Sequence, residues 1–269
     1  MAAMTRIVGT VVIGLLAGLG VWFYSRSEPQ PADATSSTLN ADWLDDLYSQ
    51  NPRDVEAASQ EVAALGARAL PAVQAALRDP NSEAERIKGA LKACGIIGQA
   101  AAPAIPEVAA LLSEPGVTSE AAIALSYMGK EALPPLRDAL KHSDPIVRRE
   151  ALRSIGKLKD RAPLNMSVVM PLLIRGLDDP DPSVRAVAAT YLGIIHEVPE
   201  EAVPALARTL TDADAEVRRS AAAALASFDA DALPALPALQ RASTDRNEDV
   251  AREASRTIVK LQGTRERLP

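Results

Sequence analysis

The sequence predicts an all-α chain, a right-handed α-solenoid of about six helix pairs preceded by one transmembrane helix. Three observations carry this reading. Apolar residues make up 48% of the chain and aromatics only 3%, so the core must be filled by Ala, Leu, Val and Ile, the residues that closely packed helices favour. A motif recurs at intervals of about 30 to 37 residues, and a period of that size marks stacked helical units. Near the N-terminus lies a single uncharged apolar run, residues 7–24.

That run reads IVGTVVIGLLAGLGVWFY between Arg6 and Arg26, just long enough to cross a bilayer. An Ala-x-Ala spacing at Ala32 and Ala34 offers a signal-peptidase alternative. The run exceeds a signal core, ends in Trp22, Phe23 and Tyr24, and lies far from that spacing, so it is read as an uncleaved anchor. The aromatic cluster suits the interface at the end of the span, and the positive-inside tendency leaves the N-terminus cytoplasmic. The solenoid is then expected on the periplasmic or extracytoplasmic side of a bacterial inner membrane, on a single-pass protein. Gly14 and Gly18, with Thr10, repeat every four residues, a spacing that lets two spans pack as a homodimer. The expected division is an anchor over 1–24, a Pro/Ser/Ala-rich flexible tether over 25–39, the solenoid over 40–262 and a tail over 263–269.

Within the solenoid three copies of one motif are explicit: Asp144-Pro-Ile-Val147-Arg148, Asp181-Pro-Ser-Val184-Arg185 and Asp214-Ala-Glu-Val217-Arg218. Four residues past each Val comes Ala151, Ala188 or Ala221, and eight past comes Ile155, Leu192 or Leu225. These spacings place all three on one helical face. Val250, Arg252 and Ala254 open a terminal copy, Val117, Ala121 and Leu125 an earlier one, and Arg86, Ala90 and Cys94 a weaker first one. Between them lie helices with a Pro near the start followed by leucines: ALPAVQAAL from Ala69, ALPPLRDAL from Ala132, VMPLLIRGL from Val169 and AVPALARTL from Ala202. Pro is tolerated in a first turn, where the amide has no intrahelical partner to lose.

This helix, Asp-containing turn, helix unit resembles the HEAT repeat, and the Asp-x-x-Val-Arg and Leu-Gly signatures look most like the short bacterial HEAT-like repeats of phycobilin lyases. The resemblance covers residues 52–262. It implies stacked helix pairs whose Val-Arg helices line a concave face. It implies little about function, since such proteins include scaffolds, enzymes and DNA-binding members.

The expected roles follow from position. Asp144, Asp181 and Asp214 can cap the second helices, and Arg148, Arg185 and Arg218 can pair with an Asp of their own or a neighbouring repeat, making a structural ladder. With Val, Ala and Leu facing the core, the positions two, three and six residues past each Val point outward. These are Arg149, Glu150 and Arg153, then Ala186, Val187 and Thr190, then Arg219, Ser220 and Ala223. An uncharged row between two charged ones is what a modest protein interface shows. The ends read as caps: Ala41–Gln50 carries Trp43, Leu44, Leu47 and Tyr48, and the last helix carries Arg252, Arg256 and Lys260 four apart. Residues 159–167 read as a lengthened loop.

Sites for chemistry are sparse. The histidines are His142 and His196, and Cys94 is the single cysteine, so an intrachain disulfide and a Cys-based zinc site are excluded and general-base and metal options are severely limited. His196-Glu197 alone falls short of the several His-Glu pairs that hold iron in deoxyhypusine hydroxylase, a HEAT-like enzyme. No nucleophile elbow or phosphate-binding Gly loop occurs. Residues 1–50 hold two basic and five acidic residues, leaving 27 basic against 30 acidic beyond them, without the basic excess that phosphate contacts require. Tyr127, Tyr191 and Phe228 are the aromatics past the N-terminal cap, too few to stack bases or hold a tetrapyrrole. The expectation is a non-catalytic scaffold without cofactor or nucleic acid, a bilin-lyase-like enzyme or chaperone being the alternative.

Overall fold

The computed structural model describes residues 42–158 and 164–265. The anchor at 7–24, the tether, the Gly14/Gly18 pairing and most of the lengthened loop lie outside the described residues.

Among the described residues all regular structure is helical. Two helices, α1 (Trp43–Asp46) and α2 (Pro52–Leu65), precede six consecutive pairs. These are α3 (Leu70–Arg78) with α4 (Ala84–Ile97), α5 (Ile105–Ala110) with α6 (Thr118–Leu125), and α7 (Leu133–Ala139) with α8 (Pro145–Leu158). After them come α9 (Met166–Gly176) with α10 (Pro182–Ile195), α11 (Pro199–Thr209) with α12 (Ala215–Leu225), and α13 (Leu236–Ala242) with α14 (Glu248–Arg265). The second helix of each pair packs on the second helix of the next, from α4 through to α14. Their apolar stripes thus merge into one core, in which Val147, Ala151 and Ile155, Val184, Ala188 and Leu192, and Val217, Ala221 and Leu225 are all buried. Units that contact only their sequence neighbours derive their stability from these junctions.

The Leu-Gly signature sets how close the second helices come. A Cβ on Gly193 would lie 2.6 Å from the Cα of Ala224 on α12, and one on Gly156 would lie 2.1 Å from the Tyr191 ring on α10. Both distances are inside van der Waals contact, so glycine is what permits the approach.

Pro stands in the first turn of α3, α5, α7 and α13. In α9 and α11 the Pro of the leucine pattern, Pro171 or Pro204, lies in the helix interior instead. Each of these helices starts earlier than the leucine pattern indicated. Asn165 Oδ1 accepts the Ser167 amide at 3.0 Å and nucleates α9 at Met166, while Pro199 itself opens α11. The lengthened loop therefore ends at Asn165, and the last helix runs to Arg265, past the expected boundary at 262.

Several second helices end on a residue with positive φ and then a short 3-10 segment that feeds the next first helix. Gly66 (φ 54°) and Gly98 (φ 66°) make that bend without a Cβ. At the equivalent place after α12 stands Asp229, with φ 45° and ψ −123°.

The N-terminal α1 is shorter than the expected 41–50 helix, but its apolar face is used: Trp43, Leu44 and Leu47 are buried. It lies across α4, where a Cβ on Gly89 would fall 1.8 Å from the Leu44 carbonyl oxygen.

Candidate docking surface

The recurring aspartates and arginines take two separate jobs. Asp144, Asp181 and Asp214 are helix caps: Asp144 Oδ1 accepts the Ile146 amide at 2.8 Å, Asp181 Oδ1 accepts Ser183 at 2.8 Å, and Asp214 Oδ1 accepts Glu216 at 2.9 Å and Val217 at 3.1 Å. The arginines bond to other acids, two residues upstream of the caps in the following repeat. Arg148 reaches Asp179, Arg185 reaches Asp212 and Arg218 reaches Asp245, each through two parallel bonds of 2.7 to 2.9 Å. This corrects the expected pairing, in which the capping aspartates were the ladder partners. Asp179, Asp212 and Asp245 each accept an amide of their own turn as well as the arginine, so place in the turn, and not spare acceptor capacity, selects the partner.

Each arginine also donates through Nη1 to two turn carbonyls of its own repeat, for Arg185 those of Asp179 and Pro180. Burial pushes the Asp179 and Asp212 carboxyls up. The arginine bonds and the amides of Asp181 and Asp214 outweigh it and hold both below the usual carboxylate range. Asp245 is held low chiefly by its bond from Arg218. Such planar two-bond pairs are the strong kind, and their residues lie mostly out of water. The first repeat of the ladder, α7 with α8, carries His142 in the position that the acids take in the following turns. There Nδ1 accepts the Asp144 amide at 3.1 Å and Nε2 lies 3.2 Å from Ser113 Oγ. At that junction a buried Ser154 hydroxyl donates to the Ala122 carbonyl at 2.7 Å.

The outward row predicted on α8, α10 and α12 is only partly outward. Glu150 is 2% exposed and Ser220 6%, a correction to the helical-wheel placement. The second helices pack close enough that the position three residues past the Val is covered by its neighbours. Arg149 and Arg153 fold back onto the Glu150 carboxylate at 3.0 and 3.2 Å, and Arg219 binds Glu216 on its own helix. On α10, Ala186 and Val187 are half-buried and Thr190 is exposed, its hydroxyl donating to the Ala186 carbonyl at 2.9 Å. Ile194, one further turn along, is 51% exposed and extends this row. Its spacing of seven from Val187 was the signal that could have included it.

Sequence reasoning missed a groove at the other end of the same face. It has a volume of 440 Å³ between α4 and α6 and is lined by Leu91, Ile96, Ile123, Ala124 and Tyr127, with Tyr48 and Lys92 at its border. Tyr48 donates its hydroxyl to Glu120 at 3.2 Å and lies under Lys88, whose Nζ is 5.1 Å from the ring centre. The return of α1 onto α4 brings Tyr48 to its border, a contact that Gly89 alone signals in the sequence.

Burial pushes the Cys94 thiol up to about 12, which keeps it protonated and inert. His196 closes α10 in the left-handed region with its ring exposed. Among the described residues no three His, Cys, Asp or Glu side chains cluster as metal ligands.

A family model for HEAT repeats matches residues 105–166 and 170–260, more than half of the chain. Among solved structures, Kap121p bound to RanGTP is similar with a TM-score of 0.61 and 15% identity, over 84% of this chain and 29% of that one. Unbound Kap121p gives 0.55 and 15% over 81% and 27%. The CpcE–CpcF complex of phycocyanin lyase from Nostoc sp. PCC7120 gives 0.49 and 23% over 58% and 98%. At these identities the likeness is one of fold. The chain spans less than a third of the Kap121p length. No curated protein matches it.

Proposed function

Because the chain belongs to the HEAT-repeat family, we propose that it is a non-catalytic scaffold that docks other proteins on the face built by its second helices. The observation that carries this reading is the row Val187, Thr190 and Ile194 on α10. It presents apolar and uncharged surface to solvent between α8 and α12, whose own arginines are tied to Glu150 and Glu216. A row with that composition and a polar border suits a modest interface. Similarity to Kap121p bound to RanGTP supports the fold's capacity to carry protein partners. In this reading the apolar run at 7–24 holds the scaffold to a membrane as a single-pass anchor, with the solenoid on the extracytoplasmic side and its partners there, in some cases as fellow subunits of a membrane complex.

The test is affinity purification of the full-length chain and of a Val187→Asp, Thr190→Arg double variant from solubilised membranes, with thermal melting of both. Lost partners at unchanged melting temperature support the surface. Retained partners place docking elsewhere on the molecule. Intact mass of the mature protein tests the anchor, and a chain beginning near Thr35 would refute it.

A further inference from the structure

The second-helix face already holds one occupant, the chain's own α1. Trp43, Leu44 and Leu47 are buried, and Gly89 leaves the space in which the Leu44 carbonyl lies on α4. Basic side chains of α4 hold the polar parts of the segment. Arg86 pairs with Asp45 at 2.5 Å, Lys92 donates to the Leu47 carbonyl at 3.1 Å, and Lys88 covers the Tyr48 ring. The segment Asp42-Trp-Leu-Asp-Asp-Leu-Tyr48 thus shows which chemistry this face accepts: large apolar side chains interleaved with carboxylates.

At Tyr48 the chain turns away, and Asn51 caps α2. The surface does not end there. The 440 Å³ groove between α4 and α6 begins beside Tyr48 and continues in the same style. Its floor is apolar, Ile123 is 44% exposed and Tyr127 is 38% exposed. The charged residues that line the groove are Lys88 and Lys92 against Glu120, which is engaged with Tyr48. The border thus carries one cation in excess. A cleft of this size takes one or two large side chains, and an aromatic or aliphatic anchor in such a pocket is the usual centre of a docking site.

We propose that the α4/α6 groove binds a short acidic segment of a partner protein, an aromatic or large aliphatic side chain entering between Ile96 and Ile123 while neighbouring carboxylates meet Lys92 and Lys88. This rests on the reading of the second-helix face as a protein-docking surface and adds a second site with a stated ligand chemistry.

The experiment is panning of a random peptide library displayed on phage against the full-length chain in lipid nanodiscs, followed by affinity measurements on the enriched peptides. Expected are peptides with one or two large apolar residues flanked by Asp or Glu. Their affinity should fall about tenfold or more in Ile123→Asp and in Lys92→Glu, and stay unchanged in the Val187→Asp, Thr190→Arg variant. Both single substitutions fall on exposed positions, and circular dichroism with melting curves checks that the variants remain folded. Peptides without acidic residues, or peptides whose binding ignores Ile123→Asp, overturn the proposal. Peptides lost only in the α10 double variant overturn it while leaving the scaffold reading intact. Absence of enrichment also overturns it, and the purification experiment then judges the scaffold reading separately. A dimer of the chain that Ile123→Asp dissociates would assign the groove to a second copy and overturn it as well.

Discussion

Arg185 on α10 and Asp212 in the turn before α12 meet through two parallel bonds, Nε to Oδ2 at 2.8 Å and Nη2 to Oδ1 at 2.9 Å. Both side chains are mostly buried. Arg185→Ala leaves Asp212 and the carbonyls of Asp179 and Pro180 without this donor, and should lower stability by about 1 to 3 kcal/mol. Asp214→Ala removes only a cap and should cost about 1 kcal/mol. Denaturant titrations of the two variants check both size and order.

The same pairs make stability depend on acid. Asp179, Asp212 and Asp245 are held below their ordinary values in the folded chain, so the unfolded chain binds protons first as pH falls. Their contribution is whole above the unfolded aspartate pKa of about 3.9 and disappears as pH drops through the lower folded values. Melting temperature should therefore decline on acidification in this range, and less steeply in Arg185→Ala than in the natural chain.

Gly193→Ala should destabilise by about 1 to 3 kcal/mol, despite alanine's better helix propensity. Its Cβ would meet the α12 backbone at Ala224, which is fixed on both sides by packing. Thermal melting of this variant beside Gly263→Ala, whose Cβ would meet nothing within 4 Å, separates contact from propensity.

Asp229 takes a backbone conformation close to those of Gly66 and Gly98 but carries a Cβ there. Its ion pair with Lys260 at 3.0 Å joins two exposed side chains and contributes little. Asp229→Gly should relieve the strained backbone and raise stability by up to about 1 kcal/mol, read as a higher melting temperature.

The repeated stripe was legible because Val184, Ala188 and Leu192 keep a strict helical spacing, and burial follows from that alone. The arginine ladder was half legible. The turns before α10 and α12 each offer an aspartate pair, Asp179 with Asp181 and Asp212 with Asp214, and spacing cannot say which turns inward and which caps. Glu150 was misplaced because a helical wheel treats one helix in isolation, whereas exposure here depends on how closely α6 and α10 approach. The α4/α6 groove needed the return of Leu44 onto Gly89. A glycine three residues past Arg86, where other repeats carry Glu120, Glu150 or Val187, was the one local sign of it.

The ladder points one way. Every arginine reaches forward to the next turn, the last acceptor is Asp245, and Ala251 ends the series. At its other end Ile87 and Thr118 stand where α4 and α6 would need arginine. The N-terminal half has Arg78 bound to Glu107 between its first helices, through an arginine that is largely in water. Among the described residues three such paired joints lie toward the C-terminal end and none around the α4/α6 groove, from which we expect stiffness graded along the solenoid. Amide hydrogen exchange should run faster in α4 and α6 than in α10 and α12. A partner proposed for the α4/α6 groove would then meet the more yielding end of the described solenoid, and binding there should slow exchange in α4 and α6.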